Sequence, residues 1–556
     1  MPAPQNELVF APLGGVGEIG MNLAIYGLGE PRRRTWLAVD VGVSFAGEEH
    51  LPGVDLILPD IRYLVEERRN LAGIIITHAH EDHFGALLDL WPKLKVPLYA
   101  TPFTAALLEA KRVGERGAPE IPVNEVALGS RFNIGPFDIE LVSVAHSIPE
   151  SNALILRTPF GNVLHTGDWK LDPTPIVGPP TDEAKLRALG VEGCVALIGD
   201  STNAVRDGRS PSEVDVAKTL AELIASAPRR VAVTTFASNV ARIRAVADAA
   251  RAADREVVLV GRAMERVVQV ARETGHLDGV QPFRGMDLYG HLPPDKVVAL
   301  CTGSQGEPRA ALARIAADEH PEVALSTGDR VIFSSRPIPG NEKAIGRVVN
   351  GLIDQGVEVI TDRTHLVHVS DHPRRAELEE MIGWVKPRTV IPAHGEALHL
   401  AEHASLARKL GANTLTCRNG DMVRLAPGTP QIVDEVPSGR LYKDGALLIP
   451  AETRTVADRR RLSFSGIVTV AIAVNDKGQL LADPEIELIG IPDSTADGES
   501  MADVAYDAAL ETFETLPKPR RRDPDSIAEA IRRGVRAAIA QHWRKKPNVS
   551  VHVMTV

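Results

Sequence analysis

The stretch THAHEDHFGALL (residues 77–88) follows the apolar run Gly73-Ile74-Ile75-Ile76 and sets His78, His80, Asp82 and His83 within six consecutive positions. Three imidazoles of the chain's 17 in so short a span are not expected by chance. Imidazole nitrogen and carboxylate oxygen together are a donor set for zinc and similar divalent ions. His78 and His80 are two apart, so in an extended or turn conformation they point the same way. Asp82 and His83 fall where a helix (FGALLDLW) starts and face a neighbouring point. One loop thus supplies halves of two adjacent metal sites. The plainer alternative is a polar helix-capping turn with Asp82 near the cap.

The rest of a metal shell has to come from elsewhere. His146 (VSVAHS), Asp168 (HTGDW) and His394 (IPAHGE) each end a strand-like run. Taken singly, a histidine in such a place is more often a structural hydrogen-bonder than a ligand. The same habit recurs in LAVDVGVSF (37–45), GIIITHAH (73–80), DIELVSVAH (138–146), NVLHTGDW (162–169) and CVALIGDST (194–202), several of which end in His or Asp. Buried strands whose ends and following loops carry polar residues fit this pattern.

From about Ser212 the texture changes. VDVAKTLAELIASA reads as an amphipathic helix, followed by RVAVTTF, NVARIRAVADAARAA, EVVLVG and AMERVVQVARETG. This alternation predicts an inserted α/β unit with a mainly parallel sheet. TVIPAHGEALHLAEHA (389–404) returns to the earlier style, so one domain is interrupted by another. RLYKDGALLIPAETRTVADRRR (440–461) mixes turn signals and charge, as a linker does. A hairpin (SGIVTVAIAVND to QLLADPEIELIGIPD), two helices and the strand NVSVHVMTV then form a small α+β domain. The boundaries read 1–211 and 371–445 for the interrupted domain, 212–370 for the insertion, 446–461 for the linker and 462–556 for the last domain. KPRRRDP (518–524) reads as a solvated basic loop rather than an RNA contact.

The 556 residues are too many for one core. A 44% hydrophobic and 24% charged composition is ordinary for a globular protein. No run approaches a membrane span, and MPAPQNELVF does not read as a signal peptide. Cys194, Cys301 and Cys417 are far apart with apolar neighbours, which predicts buried free thiols in a reducing cytoplasm. A net charge of -11 argues against broad, charge-driven nucleic-acid binding. If RNA is the substrate, its phosphates must meet a local positive site, which a metal pair would supply.

HAHEDH, a later lone histidine, the TGD aspartate and the final PAHGE histidine resemble the metallo-β-lactamase fold, and more narrowly its β-CASP branch of nucleic-acid-processing enzymes. PLGGVGEIGMN (12–22), PGVDLILPDIRYL (52–64), HSIPES (146–151), GDSTNA (199–204), CTGSQGEP (301–308), SSRPIPGNE (334–342) and HVSDH…KPRTVIPAHGE (368–396) narrow it further, to a likeness with the bacterial ribonuclease J family over nearly the whole chain. The resemblance implies an αββα sandwich, an inserted α/β β-CASP domain and a small α+β C-terminal domain. It implies that His78, His80 and His146 hold one metal, Asp82, His83 and His394 the other, and that Asp168 bridges them. Asp82 and Asp168 would thereby be catalytic, and Asp40 and Asp200 would support the ligands, although for Asp40 a strand-end turn residue is as good a reading. His372 matches the position that assists the leaving 3′-oxygen. Ser334, Ser335, His368, Ser370 and His372 would contact substrate, with Ser334, Ser335, His368 and Ser370 resembling a 5′-phosphate pocket.

What the resemblance implies chemically is hydrolysis of an RNA phosphodiester by two Zn²⁺ ions, with Mn²⁺ or Mg²⁺ as alternatives. The activity would be 5′-to-3′ exonuclease on 5′-monophosphate RNA, with endonuclease activity beside it. It also implies a homodimer or homotetramer through the C-terminal domain, a place in an RNA-degradation complex, and a cytoplasmic location. A hydrolase of a small thioester or lactam is the competing enzyme, but an insertion over 212–370 suits a polymer channel better. A non-catalytic β-CASP scaffold is the competing non-enzyme, and against it all seven ligand positions are filled. One departure stands out: position 371 is Asp where the family usually carries Gly. It is expected to add negative charge near the scissile phosphate and to forbid backbone conformations that glycine takes easily.

Overall fold

The computed structural model describes residues 6–46, 53–54, 56–338 and 340–556. The first five residues of the start, parts of the 52–64 motif (Pro52 and Asp55) and Pro339 of the IPGNE motif lie outside them. The described residues fall into two compact units, one within Met1–Phe45 and Leu56–Leu441, the other within Ala46–Asp55 and Tyr442–Val556.

Two mixed sheets form the heart of the first unit. The eight-stranded one runs Gln431–Glu435, Asp421–Ala426, Glu7–Gly14, Leu23–Gly29, Thr35–Val39, Leu71–Ile75, Leu98–Ala100, Val123–Glu125. The seven-stranded one runs Asn413–Thr414, Thr389–Ala393, Cys194–Asp200, Gly161–His165, Asn152–Thr158, Phe137–Ser143, Arg131–Ile134. Their facing sides share one core, in which Phe10, Tyr26, Leu37 and Ile75 of the first meet Leu141, Leu154, Ile198 and Ile391 of the second. Helices Glu183–Glu192, Arg375–Val385 and Ala397–Lys409 contribute Leu186, Leu189, Met381, Trp384 and Leu406 to a second cluster with Trp169 and Leu197. Sheet on sheet with helices outside is the expected αββα sandwich.

Between Cys194–Asp200 and Thr389–Ala393 the chain leaves to build the insertion. Its sheet is parallel throughout, in the order Glu256–Val260, Val297–Cys301, Val231–Thr234, Arg330–Phe333, Glu358–Ile360. Helices start on polar caps: Ser212 accepts from Val214 N ahead of Glu213–Ser226, and Asn239 from Arg242 N ahead of Val240–Ala252.

In the second unit Ile467–Val474 pairs antiparallel with Glu485–Ile489, the expected hairpin, and parallel with Asn548–Thr555. Alternation in IVTVAIAV buries Val468, Val470, Ile472 and Val474 with residues of helices Met501–Thr515 and Pro524–Trp543, among them Phe513 and Ile531. The stretch read as a linker carries the strand Leu447–Pro450 and most of helix Arg454–Ser465. The three cysteines are free and buried. No helix among the described residues is long and apolar enough to cross a membrane.

Candidate metal centre

Six strand ends converge at one rim of the sandwich. Asp40 follows Thr35–Val39, Thr77 and His78 follow Leu71–Ile75, His146 follows Phe137–Ser143, Asp168 follows Gly161–His165, Asp200 ends Cys194–Asp200, and His394 follows Thr389–Ala393. Parallel pairing of Asp200 with Ala393 sets His394 beside it. Between His80 and Asp82 the chain turns into the short helix Glu81–Phe84, and no side chain caps it, so the capping reading of Asp82 fails. Gly42 lets this turn in: a Cβ there would lie 1.7 Å from the Asp82 carbonyl oxygen.

The sequence-predicted ligands gather in two groups, His78, His80, His146 with Asp168, and Asp82, His83, His394 with Asp168. In the first, His80 Nδ1 is 3.2 Å from His78 Nε2 and 3.0 Å from His146 Nε2. In the second, Asp168 Oδ2 is 3.2 Å from His83 Nε2 and 3.6 Å from His394 Nε2, while Asp82 Oδ2 is 3.6 Å from His83 Nε2. The same Asp168 oxygen is 3.7 Å from His78 Nε2. One carboxylate therefore faces both groups.

Each imidazole has its outer nitrogen engaged, that of His80 being Nε2, 3.4 Å from Ser147 Oγ. His83 Nδ1–H donates to Asp40 Oδ2 at 2.7 Å, His394 Nδ1–H to Asn22 Oδ1 at 2.8 Å, and His146 Nδ1–H to the Asp371 carbonyl at 2.9 Å. Thr77 Oγ1 donates to Asp40, leaving its oxygen to accept from His78 Nδ1–H at 3.0 Å. These bonds fix the tautomers, so the Nε2 lone pairs (Nδ1 in His80) face inward, as metal ligands require. Asp40 and His394 hold left-handed backbone, with φ of 62° and 48°. The His394 carbonyl is held there by Ser201 N and Thr202 Oγ1.

Burial presses the His78, His80 and His146 pKa values below the usual imidazole range, so their lone pairs are free. Burial also works against charge on His83, but Asp168, Asp82 and Asp40 outweigh it and raise its pKa. Burial disfavours the Asp168 carboxylate, and His394, His83 and His372 reverse that, keeping it ionised. Asp168 Oδ1 and His394 Nε2 are buried without a hydrogen-bond partner. Orphaned donors and converging lone pairs fit divalent cations in both groups.

His372 lies beside this cluster. Its Nδ1 donates to Asp200 Oδ2 at 2.7 Å and sits 3.8 Å from Asp168 Oδ2. Burial opposes its protonation, yet Asp200, then Asp168, lift its pKa to about 10. Asp200 thus bonds to His372, and its carboxylate also lies within 4.8 Å of His394, one of the expected ligands.

Of the predicted phosphate-pocket residues, Ser334 is fully buried, with its hydroxyl committed to Arg242 Nη1 and the Val367 carbonyl. Ser335 is buried, Ser370 Oγ accepts from Asn203 Nδ2 at 2.6 Å, and His368 Nδ1 is buried without a partner. The TGSQGEP loop braces the segment that follows Ser335: Gln305 donates to the Arg336 carbonyl at 2.9 Å and accepts from Ile338 N at 2.8 Å. Sequence reasoning gave no role to Asn22, Thr77, Asn203, Lys170, Glu213 or Arg242. Asn22 and Asn203 stand inside the quoted motifs PLGGVGEIGMN and GDSTNA, the one signal that pointed to them. At Asp371 the expected backbone conflict is absent, since φ there is not positive.

Family comparisons agree with this geometry. Residues 35–186 match the beta-lactamase superfamily domain, 228–352 the "Ribonuclease J, beta-CASP domain", 356–417 the "Zn-dependent metallo-hydrolase RNA specificity domain" and 454–556 the "Ribonuclease J C-terminal domain". The chain is 55% identical to Ribonuclease J of Sinorhizobium meliloti, over 100% of this chain and 98% of that protein. It is 37% identical to Ribonuclease J of Thermus thermophilus, over 96% and 94%. A crystal structure of a protein of unknown function from Enterococcus faecalis V583 shares the fold, with a TM-score of 0.54 at 17% identity over 76% of this chain and 100% of that one. A full-length match at this identity, on a fold and site of this kind, means that the chain belongs to the ribonuclease J family.

Proposed function

We propose that the protein is a metal-dependent ribonuclease that degrades RNA from the 5′ end, favours a 5′-monophosphate, and also cuts internally. The observation that carries this reading is the single Asp168 oxygen facing two groups of inward-pointing donors. In it His78, His80, His146 and Asp168 hold one ion, and Asp82, His83, His394 and Asp168 the other. Two Zn²⁺ ions suit these donors, and Mn²⁺ or Mg²⁺ is the alternative. When bound, such ions lower the pKa of water and neutralise charge on the phosphodiester.

The chain's own residues do the rest. Asp40, Asn22 and Thr77 orient imidazoles. His372, protonated and anchored through Nδ1 on Asp200, offers Nε2–H to the departing 3′-oxygen. Ions held by these ligands would oppose that protonation, because a cation disfavours a neighbouring imidazolium. Ser335, His368 and Ser370 receive the terminal phosphate, with Ser334 held behind them by Arg242. The protein acts in the cytoplasm in RNA maturation and decay, as a dimer or tetramer through its C-terminal domain and in company with a degradation complex.

The test gives purified, metal-replete protein RNAs with 5′-monophosphate, 5′-triphosphate and 5′-hydroxyl ends. Mononucleotides released fastest from the monophosphate, and lost in Asp82→Ala and His83→Ala, support the reading. Cleavage that survives either substitution, or none on any RNA, refutes it.

A further inference from the structure

Lys170 follows the TGD aspartate by two residues, and its side chain is 1% exposed. Its ammonium faces three carboxylates: Glu213 at 3.3 Å, Asp371 at 3.7 Å and Asp172 at 3.8 Å. Glu213 is shared, for its other oxygen pairs with Arg242 Nη2 at 2.9 Å. Arg242 turns Nη1 to the Ser334 hydroxyl and to the Ser334 and Val367 carbonyls, at the base of the candidate phosphate pocket. At the other end the Asp371 carbonyl holds His146. A strip of buried charges therefore joins the pocket to the metal ligands.

Two cations in this strip meet three carboxylates. Two of the carboxylates are woven into the fold. Asp172 accepts from Ser212 Oγ at 2.7 Å and Glu213 N at 2.9 Å, and Glu213 receives Arg242 on both oxygens. The Asp371 carboxylate is not, because its Oδ1 is buried without a hydrogen-bond partner. Removing its charge would leave the strip balanced. With it, the Lys170–Arg242 strip by itself carries one excess negative charge, placed between Ser370 of the pocket and His372, whose protonated form it helps to favour.

We propose that Asp371 is a specificity-determining residue for the RNA 5′ end: its carboxylate cancels the pull of Lys170 on a terminal phosphate and narrows the preference for phosphorylated over hydroxyl ends. This rests on the 5′-end reading above. A unit charge a few ångströms from an anion in a partly buried site changes its binding by about an order of magnitude, and screening reduces that.

The experiment compares full-length, metal-replete native protein with Asp371→Asn and Asp371→Gly. Asparagine keeps the shape and the carbonyl for His146 while removing the charge. Matched RNAs with 5′-monophosphate or 5′-hydroxyl ends give kcat/KM, and cleavage-resistant 2′-O-methyl RNAs give dissociation constants. In both variants the phosphate-to-hydroxyl ratio should rise by at least about threefold, chiefly through KM and dissociation constant, and the rise should shrink in high salt. A ratio in Asp371→Asn within about twofold of native overturns the proposal, because the charge then does not act. So does a shift confined to the glycine variant, which would be conformational, or an equal loss on both ends, which would make Asp371 only a support for His146. A native protein that cleaves neither RNA sinks the 5′-end reading instead.

Discussion

Replacing Asp40 with asparagine removes a charge while keeping a side chain of the same shape, and asparagine tolerates the left-handed backbone found there. The native carboxylate accepts from Thr77 N at 2.8 Å, from Thr77 Oγ1 at 2.9 Å and from His83 Nδ1 at 2.7 Å, in a site 1% exposed. In Asp40→Asn one oxygen still serves Thr77 N, but an amide N–H₂ now confronts the His83 Nδ1–H. The charge-assisted bond is lost, worth about 1.5–3 kcal/mol, and two opposed donors remain buried. His83 escapes by moving its proton to Nε2, the atom that faces Asp168 and Asp82. Either outcome weakens ion binding in that group, by about 10–100-fold for the loss of such a supporting residue. That factor equals about 1.4–2.7 kcal/mol. Competition against a chelator of known affinity measures it, with kcat/KM on RNA falling in step. Thr77 also carries His78, so a smaller loss extends to the other group. Both ions binding within about twofold of native, with cleavage unchanged, would refute the idea that Asp40 orients His83.

Two further outcomes follow from the same geometry. Dialysis against a chelator should abolish RNA cleavage and lower the melting temperature, since a ligand bound only to the folded state at 1,000 times its Kd adds about 4 kcal/mol; calorimetry that shows no shift would mean no resident ion. Glu213 gives a pH dependence: burial pushes its carboxyl up, but Arg242 and Lys170 outweigh burial and hold it at about 2. A depressed carboxylate stabilises the fold above its free value of 4.5, and that contribution drains away as pH falls from 4.5 toward 2. Glu213→Gln should cost about 3–5 kcal/mol near neutrality and flatten the dependence in that window. Urea midpoints from neutral pH downward check both.

Much of the architecture was legible because the signals were local. HAHEDH is one turn, and the runs ending in His146, Asp168 and His394 announced strands whose ends carry chemistry. The parallel insertion was legible from its strand–helix alternation, and the C-terminal hairpin from its apolar runs. What escaped were partnerships across long separations. Asn22 meets His394 from 372 positions away, and Asn203 meets Ser370 from 167. Nothing in either neighbourhood names the other, since strand order decides it. Ser334 was expected to line a pocket because it matches a phosphate-pocket position of the family it resembles. Arg242, on a helix of the insertion, takes the serine hydroxyl inward. The strain expected at Asp371 came from its residue type, and the backbone there simply does not enter the region where that type matters.

The sandwich also has a direction in time. Its first strand, Glu7–Gly14, pairs with Asp421–Ala426, and the last of the converging side chains is His394. A ribosome makes the early strands long before it makes these. Until the second half of the message has been read, the growing chain has no histidine to close the second group of donors and no strand to seal the first sheet. A catalyst aimed at RNA therefore stays inert beside the very transcript that encodes it for most of its synthesis.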